Sequence, residues 1–209
     1  VPNVANKTAN RNTIKIDMTM LMIKETVYFL ALLLFILSSC SKNEEPRSEP
    51  DKPQDIFVRD LNNGHFSTGQ PSGIAKPIYF SLQKNAEAKA DGDWDIAFTG
   101  LANTLIVSNS KVGTWMKVLN VDYDKIDRKP SLSYSEAESG NIANYENGWY
   151  TYDVQTHVVE PIKGKTIFLR TGNGKYYKIK MISIYEGAPA YPTSSDKTTF
   201  LTFQFAELE

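Results

Sequence analysis

From Asp55 to the C-terminus the apolar residues recur with a period of two rather than 3.6. The run Thr199–Phe205 reads TFLTFQF, with Leu201, Phe203 and Phe205 on one face and Thr202 and Gln204 on the other. In Lys175–Tyr185, KYYKIKMISIY, the side chains of Tyr177, Ile179 and Met181 share a face while Lys178 and Lys180 point away. Such alternation predicts strands with one face buried. The dipeptide Asn173-Gly174 separates Thr166–Thr171 from Lys175–Tyr185 and predicts a hairpin tip, because both central positions of a tight hairpin turn favour Asn and Gly. Further strands are expected over Ile56–Leu61, Pro77–Leu82, Trp94–Phe98, Thr104–Ser108, Thr114–Leu119 and Trp149–Tyr152. Only Leu82–Ala90 has a helix-friendly composition, and it is short. About nine closely spaced strands without internal repeats point to an all-β fold of mostly antiparallel strands in packed sheets.

The N-terminal part has a different pattern. Val27–Leu37 reads VYFLALLLFIL, eleven apolar residues in a row. A membrane-spanning helix needs about 20. Eleven suits the apolar core of a signal peptide, and Lys24 precedes it. Leu37-Ser38-Ser39-Cys40 follows and resembles a bacterial lipobox, in which the cysteine is lipidated and becomes the new N-terminus. The competing reading is a buried core helix with a chance cysteine. The expected organisation is a translation start at Met18, Met20 or Met22, leaving 1–17 untranslated. A lipoprotein signal peptide then covers 18–39, and residues 40–54 form a disordered tether. This tether carries prolines and charges and no large apolar side chain, so it cannot bury enough surface to offset ordering. Ser41-Lys42-Asn43-Glu44-Glu45 also resembles the acidic export tag of surface lipoproteins of Bacteroidota. The folded domain is expected over 55–209.

Composition narrows the function. Lys and Arg number 23 against 24 Asp and Glu, a net charge of -1, which speaks against a nucleic-acid partner. A single cysteine excludes a disulfide framework, and the two histidines, His65 and His157, exclude a three-histidine zinc site. No nucleophile elbow, Walker loop or dinucleotide fingerprint is present. The alternation Asp91, Asp93, Asp95 invites calcium, but it also reads as the opening of a strand.

Several aromatic phrases remain: Asp93-Trp94-Asp95-Ile96-Ala97-Phe98, Gly148-Trp149-Tyr150-Thr151-Tyr152-Asp153, Thr156-His157-Val158-Val159, and the run from Thr171 to Met181, TGNGKYYKIKM. In this order, over Asp55 to Glu209, they resemble the HmuY family of haem-binding surface lipoproteins of Bacteroidota. The resemblance implies an all-β, HmuY-like fold. It also implies a lipid-anchored protein of the outer membrane, facing the cell exterior. Such a protein is a binding protein and not an enzyme: it takes haem from host haem proteins and delivers it to a TonB-dependent outer-membrane haem transporter. Family members hold the iron through two axial side chains, a His pair or a Met pair. One follows the WYxY phrase closely and the other lies upstream of it.

Here this chain departs from the pattern. The position after Asp153 where members offer a donor is Val154, which cannot ligate iron. The next donor is His157, which reads either as a ligand or as a strand-edge histidine with a backbone hydrogen bond. Between Asp122 and Asn147 there is neither His nor Met. Tyr123, Tyr134 and Tyr145 are the donors there, and tyrosinate is a haem ligand elsewhere. Met116 lies beside Trp115 in a less constrained stretch, whereas Met181 is expected in the core and His65 in an exposed turn. The axial-ligand candidates are therefore His157, Tyr123 and Met116, and the pocket is expected around Trp149, Tyr150, Tyr152 and Val154. Two readings stay open: a haem-binding lipoprotein for haem acquisition with altered ligation, or an HmuY-fold lipoprotein that binds a protein, a glycan or another tetrapyrrole.

Overall fold

The computed structural model describes residues 52–64, 75–132, 141–142 and 148–209, all within the unit Asp51–Glu209. The expectations for the signal peptide, Cys40, His65, Tyr134 and Tyr145 fall outside the described residues. The described residues form twelve strands and no α-helix: β1 (Ile56–Leu61), β2 (Ile78–Ser81), β3 (Ala86–Ala88), β4 (Ile96–Thr99), β5 (Leu105–Ser108), β6 (Trp115–Leu119), β7 (Asn141–Ile142), β8 (Tyr150–Asp153), β9 (Val158–Pro161), β10 (Thr166–Arg170), β11 (Tyr176–Tyr185) and β12 (Thr198–Leu208). All pairings are antiparallel. One sheet has the order β1-β12-β11-β10-β6, a second the order β3-β2-β4-β5-β7, and β8 and β9 form a separate hairpin. The fold is all-β, as the period of two predicts.

The two larger sheets meet through their apolar faces. Leu201, Phe203 and Phe205 of β12 are fully buried. The Phe203 ring meets Phe80 of β2 edge-on at 5.4 Å and Phe98 of β4 at 5.3 Å. Ile179 and Met181 of β11 and Ile167 and Leu169 of β10 complete this layer. Trp149, Tyr150, Val158 and Val159 attach the β8–β9 hairpin to the same core, which matters because two strands alone are marginal in water.

The outer face of the first sheet departs from simple alternation. Phe168, Trp115 and Leu208 form a smaller cluster there, closed by Ile126. Lys178, expected to point away, does leave the main core, yet it is 4% exposed. The segment around Tyr123 covers it. Its ammonium lies 4.1 Å from the Tyr123 ring centroid and donates to the Tyr123 carbonyl oxygen at 3.1 Å. Thr202 is likewise buried, its hydroxyl accepting from the Asp60 N–H at 3.2 Å.

Leu82–Ala90 is not helical. Leu82–Asn85 is a turn and Ala86–Ala88 is the edge strand β3. Nine residues nucleate a helix poorly. Asn85 takes a left-handed conformation, φ 46°, and the Leu82 N–H goes to the Asp95 carboxylate at 2.8 Å, both of which fix the turn.

Candidate functional site

The β8–β9 hairpin carries the residues that the sequence singles out. Its strands pair from Tyr150 with Pro161 to Asp153 with Val158, so Val154–His157 form the tip. Asp153 organises that tip. Its Oδ1 accepts from the N–H groups of Gln155 at 2.7 Å and Thr156 at 3.1 Å, and its carbonyl accepts from the His157 N–H at 2.8 Å. These donors favour the carboxylate, so its pKa lies below the ordinary 3.8, chiefly through Thr156, then Gln155, with a smaller contribution from His157.

His157 closes the tip with φ 58°, a left-handed conformation that glycine and asparagine adopt more cheaply. Its ring is half-buried, and Nδ1 lies 2.7 Å from the Tyr152 hydroxyl. Where the proton sits on Nε2, Nδ1 accepts from Tyr152; where it sits on Nδ1, the ring donates to Tyr152 and Nε2 is its acceptor nitrogen. The latter is how metal-binding histidines are commonly oriented by a partner on the other ring nitrogen. Val154, at the start of the tip, is 64% exposed.

Trp149 and Tyr150 are placed differently. Both are buried, the Trp149 indole donates to the Thr104 carbonyl at 2.9 Å, and the Tyr150 hydroxyl accepts from the Thr104 hydroxyl at 3.2 Å. Their rings meet edge-on at 4.9 Å. They pin the base of the hairpin to the core, and Tyr152 and Val154 are the pocket candidates left near His157. From beneath, the Tyr185 hydroxyl accepts from the Val159 N–H at 2.8 Å.

The other two ligand candidates are not brought to this tip. Tyr123 packs on the outer face of the first sheet. Its hydroxyl donates to Asp55 Oδ1 at 2.6 Å, and burial, then the Asp55 carboxylate, push its pKa far above that of an ordinary phenol. Both effects hold the phenol protonated, against the phenolate that iron ligation needs. Met116 is fully buried in β6, opposite Leu169; the stretch expected to be loosely constrained is a strand in the main core. Tyr123 and Trp149 instead share a cavity of about 710 Å³, together with Phe57, Met181, Lys163 and Lys180. Asp91, Asp93 and Asp95 do not converge: Asp93 pairs with Lys84 at 3.1 Å, and Asp95 turns inward to Leu82 and Ser81.

Of the three axial-ligand candidates His157 alone stands at this tip, while Tyr123 and Met116 are held elsewhere. The left-handed His157 and its bond to Tyr152 have no signature in the sequence beyond the five-residue spacing. The pairing of Lys178 with Tyr123 has none, since the covering segment is distant in sequence.

No family model matches the chain, and no curated protein does. Among solved structures, a HmuY-like haem-binding protein from Bacteroides vulgatus is 12% identical with a TM-score of 0.44, covering 74% of this chain and 91% of its own. Apo PinO from Porphyromonas gingivitis is 14% identical with a TM-score of 0.44, covering 75% and 98%. The apo HmuY analog from Tannerella forsythia is 10% identical with a TM-score of 0.38, covering 75% and 99%. Likeness at this level assigns neither a ligand nor a residue role to this chain.

Proposed function

We propose that this chain is a haem-binding surface lipoprotein of the HmuY kind, with haem held at the β8–β9 tip and His157 as its axial ligand. The observation that carries this reading is His157 itself. It occupies a left-handed position and places Nδ1 2.7 Å from the Tyr152 hydroxyl, an arrangement suited to presenting Nε2 to a metal. When bound, haem would supply the iron that accepts this imidazole. The residues of the chain would orient the ring through Tyr152, fix the tip through Asp153, and offer Tyr152 and Val154 as apolar surface to one porphyrin face. Anchoring to the outer membrane through lipid on Cys40, and transfer to a TonB-dependent transporter, complete the proposal. They rest on the lipobox and the aromatic phrases of the sequence.

The test is a haemin titration of the full chain, with ferric and ferrous spectra. A Soret shift that His157→Ala abolishes, with binding weakened tenfold or more (about 1.4 kcal/mol per decade), is the expected result. An unchanged spectrum in His157→Ala would overturn the assignment of the ligand. The separation of Tyr123 and Met116 from the tip favours a second reading, in which the pocket takes a tetrapyrrole without axial ligation. In that case metal-free protoporphyrin IX would bind as tightly as haemin.

A further inference from the structure

A cavity of about 560 Å³, apart from the haem reading, lies where the β10–β11 tip meets the β2–β3 turn and the start of β4. Its size is within the range of about 300–1,000 Å³ usual for small-molecule sites. Two buried polar side chains lie in its lining. Asp95 is 6% exposed, and its Oδ2 accepts from the Leu82 N–H at 2.8 Å and the Ser81 hydroxyl at 3.4 Å. Asn109 is 5% exposed, and its Nδ2 donates to the Trp94 carbonyl at 3.0 Å. Among the described residues no group donates to the remaining oxygen of either side chain. Neither oxygen is sealed inside, since among the described residues the one fully enclosed side-chain oxygen without a partner is Asn63 Oδ1. Each side chain thus keeps one acceptor oxygen that the protein does not enclose, on a residue that lines the cavity, where a ligand's donor can replace water.

The walls complement that floor. Trp94 is half-buried, its indole N–H is spent on the Ala90 carbonyl at 3.1 Å, and its ring rests on Tyr79 with centroids 5.0 Å apart. It thus offers the cavity a fixed aromatic surface rather than a donor. On the rim, Gln83 accepts from the Asn173 amide at 2.8 Å, which leaves the Gln83 amide N–H groups as donors. Lys84 is paired with Asp93.

A fitting ligand donates to two buried oxygens, accepts from an amide and lays an apolar face on one ring. An anion would meet Asp93 and Asp95. A quaternary ammonium prefers a cage of several rings, and here one ring is offered. A sugar has hydroxyls that donate and accept, and C–H groups that lie on an aromatic face. We propose that this cavity is a carbohydrate subsite, taking one ring of a neutral oligosaccharide against Trp94 with its hydroxyls donating to Asp95 and Asn109.

The chain's own fluorescence gives the test. Of its three tryptophans, Trp115 and Trp149 are buried at 6% and 2% exposure, so contact at the cavity is reported by Trp94. The full chain is titrated with cellotetraose, lactose and mannotetraose, and separately with choline. The expected result is a saturable emission change with at least one oligosaccharide and none with choline. Gln83→Ala, an exposed rim change, is expected to weaken that binding several-fold, and Trp94→Ala, which removes the fluorescent reporter and is therefore followed by isothermal titration calorimetry beside the parent, to abolish it while leaving the haemin Soret band unaltered. Silence towards all three sugars, a response to choline, or unchanged sugar binding in both variants would overturn the proposal.

Discussion

The β10–β11 and β8–β9 hairpins are closed by the same device and differ in what they place at the tip. In the first, the Thr171 N–H donates to the Lys175 carbonyl at 2.8 Å, the Thr171 hydroxyl accepts from the Lys175 N–H at 3.0 Å, and Gly174 takes the left-handed position at φ 92°. In the second, Asp153 plays the part of Thr171, and the left-handed residue is His157. Glycine fills such a position without steric cost, whereas a residue with a Cβ gives up about 1 kcal/mol. The first hairpin is embedded: β10 lies between β11 and β6, and Thr166 to Leu169 are buried. Among the described residues the second pairs with no further strand, and it exposes its tip. Where folding alone governs, the tip follows the cheap rule. The costly position is held by an imidazole in the second tip and by Ala102, Ala188 and Thr199 elsewhere in the chain, so the Tyr152 contact rather than the φ angle sets His157 apart.

The comparison breaks first at Gly172. A Cβ there would collide with the Val112 carbonyl, a backbone atom that cannot swing aside as a side chain would. Gly172→Ala is expected to destabilise the fold by about 3 kcal/mol, the upper range for overpacking. Urea denaturation measures it. A midpoint close to the parent's would mean that the loop around Val112 yields and that the β10–β11 tip is no more rigid than its counterpart.

At the other tip the large effect should appear in ligand binding, not in stability. Tyr152→Phe removes the partner of Nδ1 and leaves the ring in place. If His157 ligates iron, haemin affinity should fall about tenfold, the lower range for loss of such a partner, with the melting temperature little changed. A fall in melting temperature with unchanged haemin affinity would make the Tyr152–His157 bond a structural clasp.

A mirrored pair of substitutions sharpens the contrast at the level of about 1 kcal/mol. Gly174→Ala should cost roughly that much, because alanine resists the left-handed position. His157→Gly relieves the same strain while loosening the unfolded chain, so its stability should stay within about 1 kcal/mol of the parent while the His-type haem spectrum disappears. Equal losses of stability in both variants would show that the two tips serve folding alike.

What the sequence reveals follows the same division. Leu201, Phe203 and Phe205 alternate against a core that spans both large sheets, and the strand emerges where the pattern puts it, extended to Leu208. The hairpin at Asn173-Gly174 is legible because its turn chemistry is local. Lys178 misleads because alternation names a face and not what covers it. The Tyr123 segment, 55 residues earlier, turns an apparently solvent-facing lysine into a buried one. The ligand set is the least legible part. Met116 and Tyr123 hold the right donor atoms, but a core strand and an Asp55 hydrogen bond occupy them. His157 owes its bearing to a φ angle and to Tyr152, neither of which a residue pattern encodes.

The smallest expected effect concerns the acid side of Asp153. This carboxylate is exposed, so screening by water and salt keeps its contribution small. Its folded pKa is depressed below 3.8 by the Thr156 and Gln155 N–H groups, so the folded chain binds that proton less readily than the unfolded chain does. The sign follows: the contribution is complete above the unfolded value and is lost only as pH falls through the lower, folded one. The tip should therefore be unchanged from neutral pH down to the ordinary carboxylate range and open only in stronger acid. Amide resonances of Gln155 and Thr156 followed by NMR should move together, with a midpoint below 3.8. The corresponding β10–β11 amides of Gly174 and Lys175 should not follow that midpoint, because Thr171 does not titrate. Asp153→Asn keeps an acceptor oxygen and removes the charge, so the step should vanish in that variant while the tip persists. A midpoint at or above 3.8, or a step that survives Asp153→Asn, would show that the carboxylate does not hold this tip. The β8–β9 hairpin would then need another explanation for keeping a histidine in the left-handed position.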